Sequence, residues 1–381
     1  MSPMSWKRSI SPKVKLLCFT ILSLALFVPA GVRADWKTDW EKVLAEAKKE
    51  GRLNFYVGRY GQAPLLDEFK KEYPWLKLVT LNGTGNDLGT RILAESRAGK
   101  LFADLFSGGA NSNYTLLHKG KVLQSFKPTL ILPEVVDESK WLGGKHVYTD
   151  DDEDQIFVYI ANTGGGSVYY NEKQINPKEF KSYWDLMNPK WKGKISSQPL
   201  NETGLGATLQ FYYYNPELGP EWIRRLYTTM DVTLGDRRLI VDWLATGKYP
   251  LCIGCRGVDK AKAQGLPVNE FDERMWKEGQ GLTTGGGSIS FIKGAPNPNA
   301  AKVFINWFLS RKGQILLQSS PDLYGDLAPN SRRMDIPKDM LPPQNRLIEG
   351  RKYLDIARPE YADLTPIFKL AKEIAAARER R

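Results

Sequence analysis

Histidine is nearly absent from this chain, with His118 and His146 the two examples among 381 residues. That scarcity removes whole classes of chemistry: there is no H-E-x-x-H pair for a metalloprotease, and neither imidazole has a nucleophile beside it. The nucleophile elbow G-x-S-x-G is also missing. Cysteine is equally sparse, at three residues, and zinc would need further ligands that the distant histidines do not supply. Apolar runs are short. The longest, Leu16 to Val28, has 13 residues, against the roughly 20 that a membrane helix requires. Nor is there a block of one charge sign large enough to track a phosphate backbone: the 54 Lys and Arg are dispersed among 43 Asp and Glu, so nucleic acid is excluded as a partner. The acidic run Asp150 to Asp154 lacks the alternating ligands and central glycine of a calcium loop, and reads as a solvated turn. A secreted hydrolase survives only as a remote alternative, because paired carboxylates can be distant in sequence.

The N-terminus has the three parts of an export signal. Lys7, Arg8, Lys13 and Lys15 precede the apolar run, and Val32-Arg33-Ala34 is a small-residue cleavage site, giving a signal peptide over 1–34. Cys18 lies within the apolar run rather than at the cleavage point, so no lipoprotein anchor is expected. Removal of the leader leaves 347 of the 381 residues and lowers the formal charge from +11 to +6. A periplasmic location is therefore expected. It removes nucleotide cofactors from consideration, and no cofactor or metal is expected.

Along the mature chain, helix and strand signals alternate. Thr38 and Glu41 form a capping box ahead of WEKVLAEAKKE, and LNFYV follows with Leu53, Phe55 and Val57 on one face. Then come the helix APLLDEFKKEY, the strand WLKLVTL, a helix capped by Thr84 and Asp87, and the strand FADLF. Strands separated by helices of this length imply crossovers and a parallel sheet. The pattern recurs through KGKISSQPL, TTMDVTL and SISF. Two glycine triplets, Gly164 to Gly166 and Gly285 to Gly287, bracket that second unit and mark two crossings between lobes. The expected fold is α/β and two-lobed, each lobe a mostly parallel sheet flanked by helices. Lobe 1 takes 35–162 and 288–381, and lobe 2 takes 163–287.

Each strand of the first unit ends in a glycine-containing loop that opens a helix. The stretch GTGNDLG resembles a dinucleotide fingerprint, with Asp104 downstream for a ribose hydroxyl, but Leu88 stands where its third glycine should be. The physical content is more general. Such loops gather at the carboxyl edge of a parallel sheet and direct helix N-termini, with their unsatisfied N–H groups and partial positive charge, towards an anion.

Four segments carry a family resemblance: WEKVLAEAKKEGRLNFYVG, TRILAESRAGKLFADLFSGG, FKSYWDLMNPKWKGKISS and NPNAAKVFINWFLSRKGQILLQ. Together they resemble the type II periplasmic solute-binding proteins of ATP-driven (ABC) importers, the group that includes ferric-iron, thiamine, polyamine and phosphonate binders. The resemblance implies a clamp that closes over one small ligand and presents it to the permease subunits of an importer in the inner membrane, as a monomer and without enzymatic activity. A chemosensory ligand presenter would have the same chain. Iron binders of the group carry adjacent tyrosines after the strand that corresponds to YPLCIG, whereas this chain has Cys255-Arg256-Gly257-Val258 there. Ferric-ion or ferric-chelate binding is thus the alternative reading, and an organic anion of carboxylate or phosphonate type the leading one.

The candidate ligand residues sit on the rim loops. Arg59 and Tyr60 follow the first strand, Thr84 the second, and Ser107 and Gly108 the third; Thr203, the Arg237 and Arg238 pair, and Ser288 open the corresponding loops later on. A guanidinium forks onto a carboxylate or phosphonate through two parallel hydrogen bonds. Tyr60 is placed to stack over the ligand. Tyr212 to Tyr214, in a helical run, read as packing residues. In an oxidising compartment Cys252 and Cys255 are expected to form a short-loop disulfide, with a redox pair as the alternative.

Overall fold

The computed structural model describes residues 36–60, 64–164, 167–200, 205–320 and 329–380. The expected signal peptide and Thr203 lie outside the described residues.

The first helix, α1 (Trp36–Glu50), starts two residues before the Thr38 expected to cap it, so Thr38 and Glu41 lie inside the helix rather than forming its capping box. It leads into β1 (Arg52–Val57), α2 (Leu65–Glu72), β2 (Lys77–Asn82), α3 (Gly85–Arg97) and β3 (Leu105–Gly108). These three strands pair in parallel in the order β2-β1-β3, as the alternation of signals requires. The chain then forms β4 (Ile156–Val158) in the same sheet and passes through β5 (Asn162–Gly164) into a second sheet. That sheet holds β6 (Val168–Asn171), β7 (Ile195–Ser197), β8 (Thr233–Leu234), β9 (Leu251–Ile253) and β10 (Val268–Glu270), in the order β10-β6-β9-β7-β8. The return runs through β11 (Gln280–Thr283) to β12 (Ser288–Phe291), which completes the first sheet as β2-β1-β3-β12-β4.

The sheets are mixed rather than mostly parallel. Strand β12 lies antiparallel to both β3 and β4, and β6 lies antiparallel to both β9 and β10. The reason is topological. Strands β1, β2 and β3 end at the edge where the chain crosses between sheets, whereas a strand arriving from the other sheet starts at that edge and must run away from it. Ser288, the first residue of β12, accordingly sits opposite Gly108, the last of β3. The two crossing segments, β5 and β11, pair antiparallel with each other, and β13 (Tyr353–Asp355) adds to β11 as a third strand.

Separate apolar cores underlie the two sheets. Under the first, Phe55, Phe69, Phe304 and Trp307 pack together, and Phe69 meets Phe304 and Trp307 edge-on at 5.0 and 5.1 Å. Helix Pro298–Leu309 brings the last two, and the Glu50 carboxylate at the end of α1 accepts from the backbone N–H groups of Asn299 (3.1 Å) and Ala300 (2.7 Å) at its start. Those are the unsatisfied donors of a helix N-terminus, which also attracts negative charge. Under the second sheet, Tyr183, Tyr212, Trp222 and Trp276 form the aromatic centre, so Tyr212 is a packing residue. Ile367, Leu370 and Ile374 of the C-terminal helix Thr365–Glu379 belong to this second core. The last helix was expected with lobe 1. Its apolar face instead packs on helix Gly219–Thr229, and Arg378 donates to the carbonyls of Tyr227 and Val232, both at 2.7 Å.

Candidate functional site

Arg59 lies two residues past the end of β1 and reaches the space between the two sheets. It shares a cleft of about 780 Å³ with Arg237, Arg238, Arg256 and Lys260 from the second sheet's side. Among the described residues that line it, Asp242 is the one acid. Local chemistry explains the placement. The Asp236 carboxylate accepts the backbone N–H groups of Arg238 (2.9 Å) and Leu239 (3.0 Å), which starts helix Leu239–Thr246 just after β8 and leaves Arg237 and Arg238 exposed on the turn. Two strands over, beyond β7, β9 runs into the loop closed by the bonded pair Cys252–Cys255, both cysteines are buried, and Arg256 emerges directly after that closed loop. Lys260 follows on helix Val258–Ala263 and lines the same cleft as Arg256. Arg59 itself lies over the Tyr60 ring, 5.8 Å from its centroid.

A second chamber of about 710 Å³ opens from the first and shares Arg59, Arg256, Gly257 and Lys260 with it. Its floor comes from the crossing strands, through Asn162 on β5 and Gln280 and Thr283 on β11, and its far wall includes Glu270. Burial, followed by the nearby carboxylates Asp259 and Asp272, pushes the Glu270 carboxyl up to about 7. Behind it Glu273 is fully buried and accepts the backbone N–H groups of Ser167 (3.1 Å) and Val168 (2.6 Å). Burial, then the charge of Glu270, raises it from 4.5 to about 8.

These two carboxyls set a pH dependence opposite to that of a surface acid. A carboxyl whose folded pKa lies above its unfolded value holds a proton that the unfolded chain releases, so stability falls as pH rises between them. For Glu273 that window runs from about 4.5 to 8. The apo protein is expected to melt several degrees lower at pH 8 than at pH 6, with Glu273→Gln flattening the difference in a thermal denaturation series; an unchanged profile in the variant would remove Glu273 as the cause.

Of the other expected ligand residues, several are committed elsewhere. The Ser107 hydroxyl lies 2.7 Å from the Tyr159 hydroxyl and is fully buried. Ser288 donates to the Gly108 carbonyl (2.8 Å), accepts from Asn113 Nδ2 (2.9 Å), and is equally buried. Both belong to strands paired on two sides, β3 and β12, and the interior of a sheet leaves such hydroxyls to partners within it. Gly108 is needed for close packing, since a Cβ there would lie 2.5 Å from the Phe106 ring. Thr84 caps α3 by accepting from Asp87 N (3.2 Å), as its sequence position implies, and it lines neither chamber. Tyr60 is buried, donates to the Gly285 carbonyl (3.1 Å), and supports Arg59 rather than presenting its face to the cleft. Asp104, the candidate ribose acceptor, is fully buried and ties Asn54 N (2.7 Å) to Asn297 N (2.7 Å). Asp150 receives the backbone N–H groups of Asp154, Gln155 and Ile156 at 2.7–2.9 Å, which makes the acidic run a self-closed turn.

Sequence reasoning missed Arg256, Lys260 and Asn162. The signal for the first two was present, because CRGVDK follows a strand that ends at the same edge as the Arg237 loop. Nothing in the string marked Asn162 apart from its place beside a glycine triplet. Among the described residues no group of three or more His, Cys, Asp or Glu side chains is arranged to hold a metal ion.

Two sheets joined by a pair of crossing strands, with a cleft between them, define a two-lobed periplasmic binding protein fold. Solved structures of that fold align over nearly their whole length. They include Mannheimia haemolytica ferric iron-binding protein A in an open conformation (TM-score 0.63, 18% identity, 86% of this chain and 99% of that one). The Trichodesmium IdiA/FutA protein in complex with iron and citrate ligands matches with a TM-score of 0.61 and 19% identity over 85% and 99%. AfuA from Actinobacillus pleuropneumoniae, with exogenous fructose-6-phosphate bound, matches with a TM-score of 0.56 and 18% identity over 86% and 98%. The model of the bacterial extracellular solute-binding proteins matches residues 56–315, and the chain belongs to that family.

Proposed function

We propose that this protein captures a small organic anion, of carboxylate or phosphate/phosphonate type, between its two lobes and passes it to the permease subunits of an ABC importer. The observation that carries the reading is the cleft itself, where Arg59 from one lobe faces Arg237, Arg238, Arg256 and Lys260 from the other across about 780 Å³. Like charges brought together at a rim repel one another, and an anion that bridges them removes the repulsion and favours closure. Arg59 and Arg256, as forks, fit planar or tetrahedral oxyanions better than a lysine-only site would. A protein of this fold complexed with iron and citrate and another with fructose-6-phosphate support an oxyanion. The first also supports a second reading, an anionic ferric chelate held through its carboxylates rather than a bare ferric ion.

In this reading the chain is exported, cleaved after Ala34, and works in the periplasm as a monomer. Lobe 1 comprises 35–162 with 288 to the end of β13, and lobe 2 comprises 163–287 with the C-terminal helix, a division supported by the two cores. A thermal-shift screen tests the class of ligand. Citrate, fructose 6-phosphate, inorganic phosphate, a phosphonate and ferric citrate are compared with putrescine and thiamine. A ligand at one hundred times its dissociation constant adds about 2.7 kcal/mol, and a response to the cationic compounds alone would sink the proposal.

A further inference from the structure

The inner chamber ends in acid where the outer one is basic. Glu270 on β10 lies directly opposite Tyr169 on β6, so the two side chains share a face of the second sheet. Both line the chamber, together with Asp259 from helix Val258–Ala263. Glu270 and Tyr169 are partly buried and Asp259 is exposed, so all three are open to a molecule in that space. Among the described residues the Glu270 and Asp259 carboxylates have neither a hydrogen bond nor an ion pair.

The cations nearest to Glu270 are committed to other groups. Arg274 forks onto Asp272 at 2.6 and 2.8 Å and donates to the carbonyls of Pro343 and Arg346. Lys262 Nζ donates to Asn269 Oδ1 at 2.8 Å. Burial, then the carboxylates of Asp259 and Asp272, push Glu270 up to about 7, and the opposing pull of Arg274 and Lys262 is weaker. Glu273 behind it is raised in turn by the charge of Glu270. The far wall thus lacks a counter-charge, whereas at the junction between the chambers Arg59, Arg256 and Lys260 line both spaces. Two poles of opposite sign in one chamber of about 710 Å³ favour a molecule that carries both charges.

We infer that the ligand is a zwitterion, its carboxylate or phosphate group at the Arg59, Arg256 and Lys260 junction and its ammonium group against Glu270 and Asp259 at the far wall of the inner chamber. The inference rests on the anion reading above and narrows it. An ammonium has three N–H donors, enough for both carboxylates, and is attracted to an aromatic ring such as that of Tyr169. A methyl group of the same size would displace water from Glu270 without replacing its hydrogen bonds. That loss is what lets a site built around a polar group reject the analogue that lacks its partner.

The test compares isosteric pairs by calorimetry on the purified protein at about pH 8, where Glu270 is ionised. The pairs are O-phosphoethanolamine against propyl phosphate, γ-aminobutyrate against pentanoate, and ε-aminocaproate against heptanoate. The first probes a phosphate source, the others a carboxylate source at two lengths. At least one amino member is expected to bind about tenfold or more tightly than its methyl partner. Glu270→Gln keeps the shape and removes the charge, so that ratio is expected to collapse towards one while the methyl partner keeps its affinity. Asp259→Asn, at an exposed position, serves if the first variant does not fold.

The pH dependence is a second readout, taken with the carboxylate pairs, whose own groups do not titrate near neutrality. An ammonium favours the ionised form of Glu270, so binding releases a proton, and the affinity of the amino member is expected to rise about fivefold from about pH 6 to about pH 8. An amino member that binds more weakly as pH rises would mean that a protonated Glu270 donates to the ligand, and would overturn the inference. So would methyl partners that bind as tightly as the amino members, a ratio unaffected in both variants, or failure of all six compounds while citrate or inorganic phosphate binds. In each of these cases the anion reading stands. Failure of citrate and inorganic phosphate as well would remove the anion reading, and the inference with it.

Discussion

Arg59→Ala is expected to weaken binding of citrate or fructose 6-phosphate by about ten- to one-hundredfold, with little change in the melting temperature of the unliganded protein. Among the described residues that line both chambers, Arg59 is the cation contributed from the first sheet's side. The others come from the second. An anion held by Arg256 and Lys260 alone has no charged contact across the cleft, so the variant loses the interaction that draws the lobes together as well as a forked hydrogen bond. Hydrogen bonds to charged groups contribute about 1.5–3 kcal/mol, and 1.4 kcal/mol is a tenfold change in affinity. Arg59→Lys retains charge without the fork and should fall between. Arg237→Ala should cost far less, because Arg237 is exposed on its turn and a rim charge acts mainly on the association rate and its salt dependence. Calorimetry at low and moderate salt separates the two effects. Wild-type affinity in Arg59→Ala would mean that the ligand sits elsewhere.

Asp355→Ala is expected to be the most damaging single change away from the cleft, at about 3–5 kcal/mol in urea or thermal unfolding. The Arg332 side chain is 2% exposed, and its guanidinium forks onto Asp355 at 2.6 and 2.7 Å. With the carboxylate gone, the Ile160 carbonyl at 3.1 Å is the acceptor left to it, and a buried charge is stranded. The pair also joins β13, the third strand of the crossing ribbon, to the end of β4, since Arg332 N donates to the Tyr159 carbonyl at 2.9 Å. Replacing both partners with apolar residues, as in Arg332→Met with Asp355→Leu, should recover much of the loss. A cost below about 1 kcal/mol for Asp355→Ala would show that solvent reaches the guanidinium freely.

The rim loops were legible because local signals suffice for them. LNFYV, WLKLVTL and the residues that follow alternate or run apolar as strands do, and each is followed by glycine and a capping side chain at a helix start. Thr84 does cap α3, and Asp236 accepts the backbone N–H groups of Arg238 and Leu239 on the turn that displays Arg237 and Arg238 ahead of the next helix. Ser107, at the end of such a strand, and Ser288, at the start of a strand after a glycine triplet, were placed on the rim by the same local signals and are buried. Their fate depended on β12 inserting between β3 and β4, a pairing between residues some 180 positions apart that no local pattern records. The C-terminal helix went to the second core for a similar reason: its apolar face is visible in FKLAKEIAAA, its partner is not.

By itself the sequence determined the alternation of helix and strand and the loop positions of Arg59, Arg237 and Arg238, with the export signal and the lobe crossings at the glycine triplets as expectations, because each follows from side-chain period, turn chemistry or charge within a few residues. Tertiary structure decided that those three arginines meet Arg256 and Lys260 around one cleft. It also decided which hydroxyls the sheet consumes. Such outcomes depend on distances between residues far apart in the chain, and only the packed chain sets those distances.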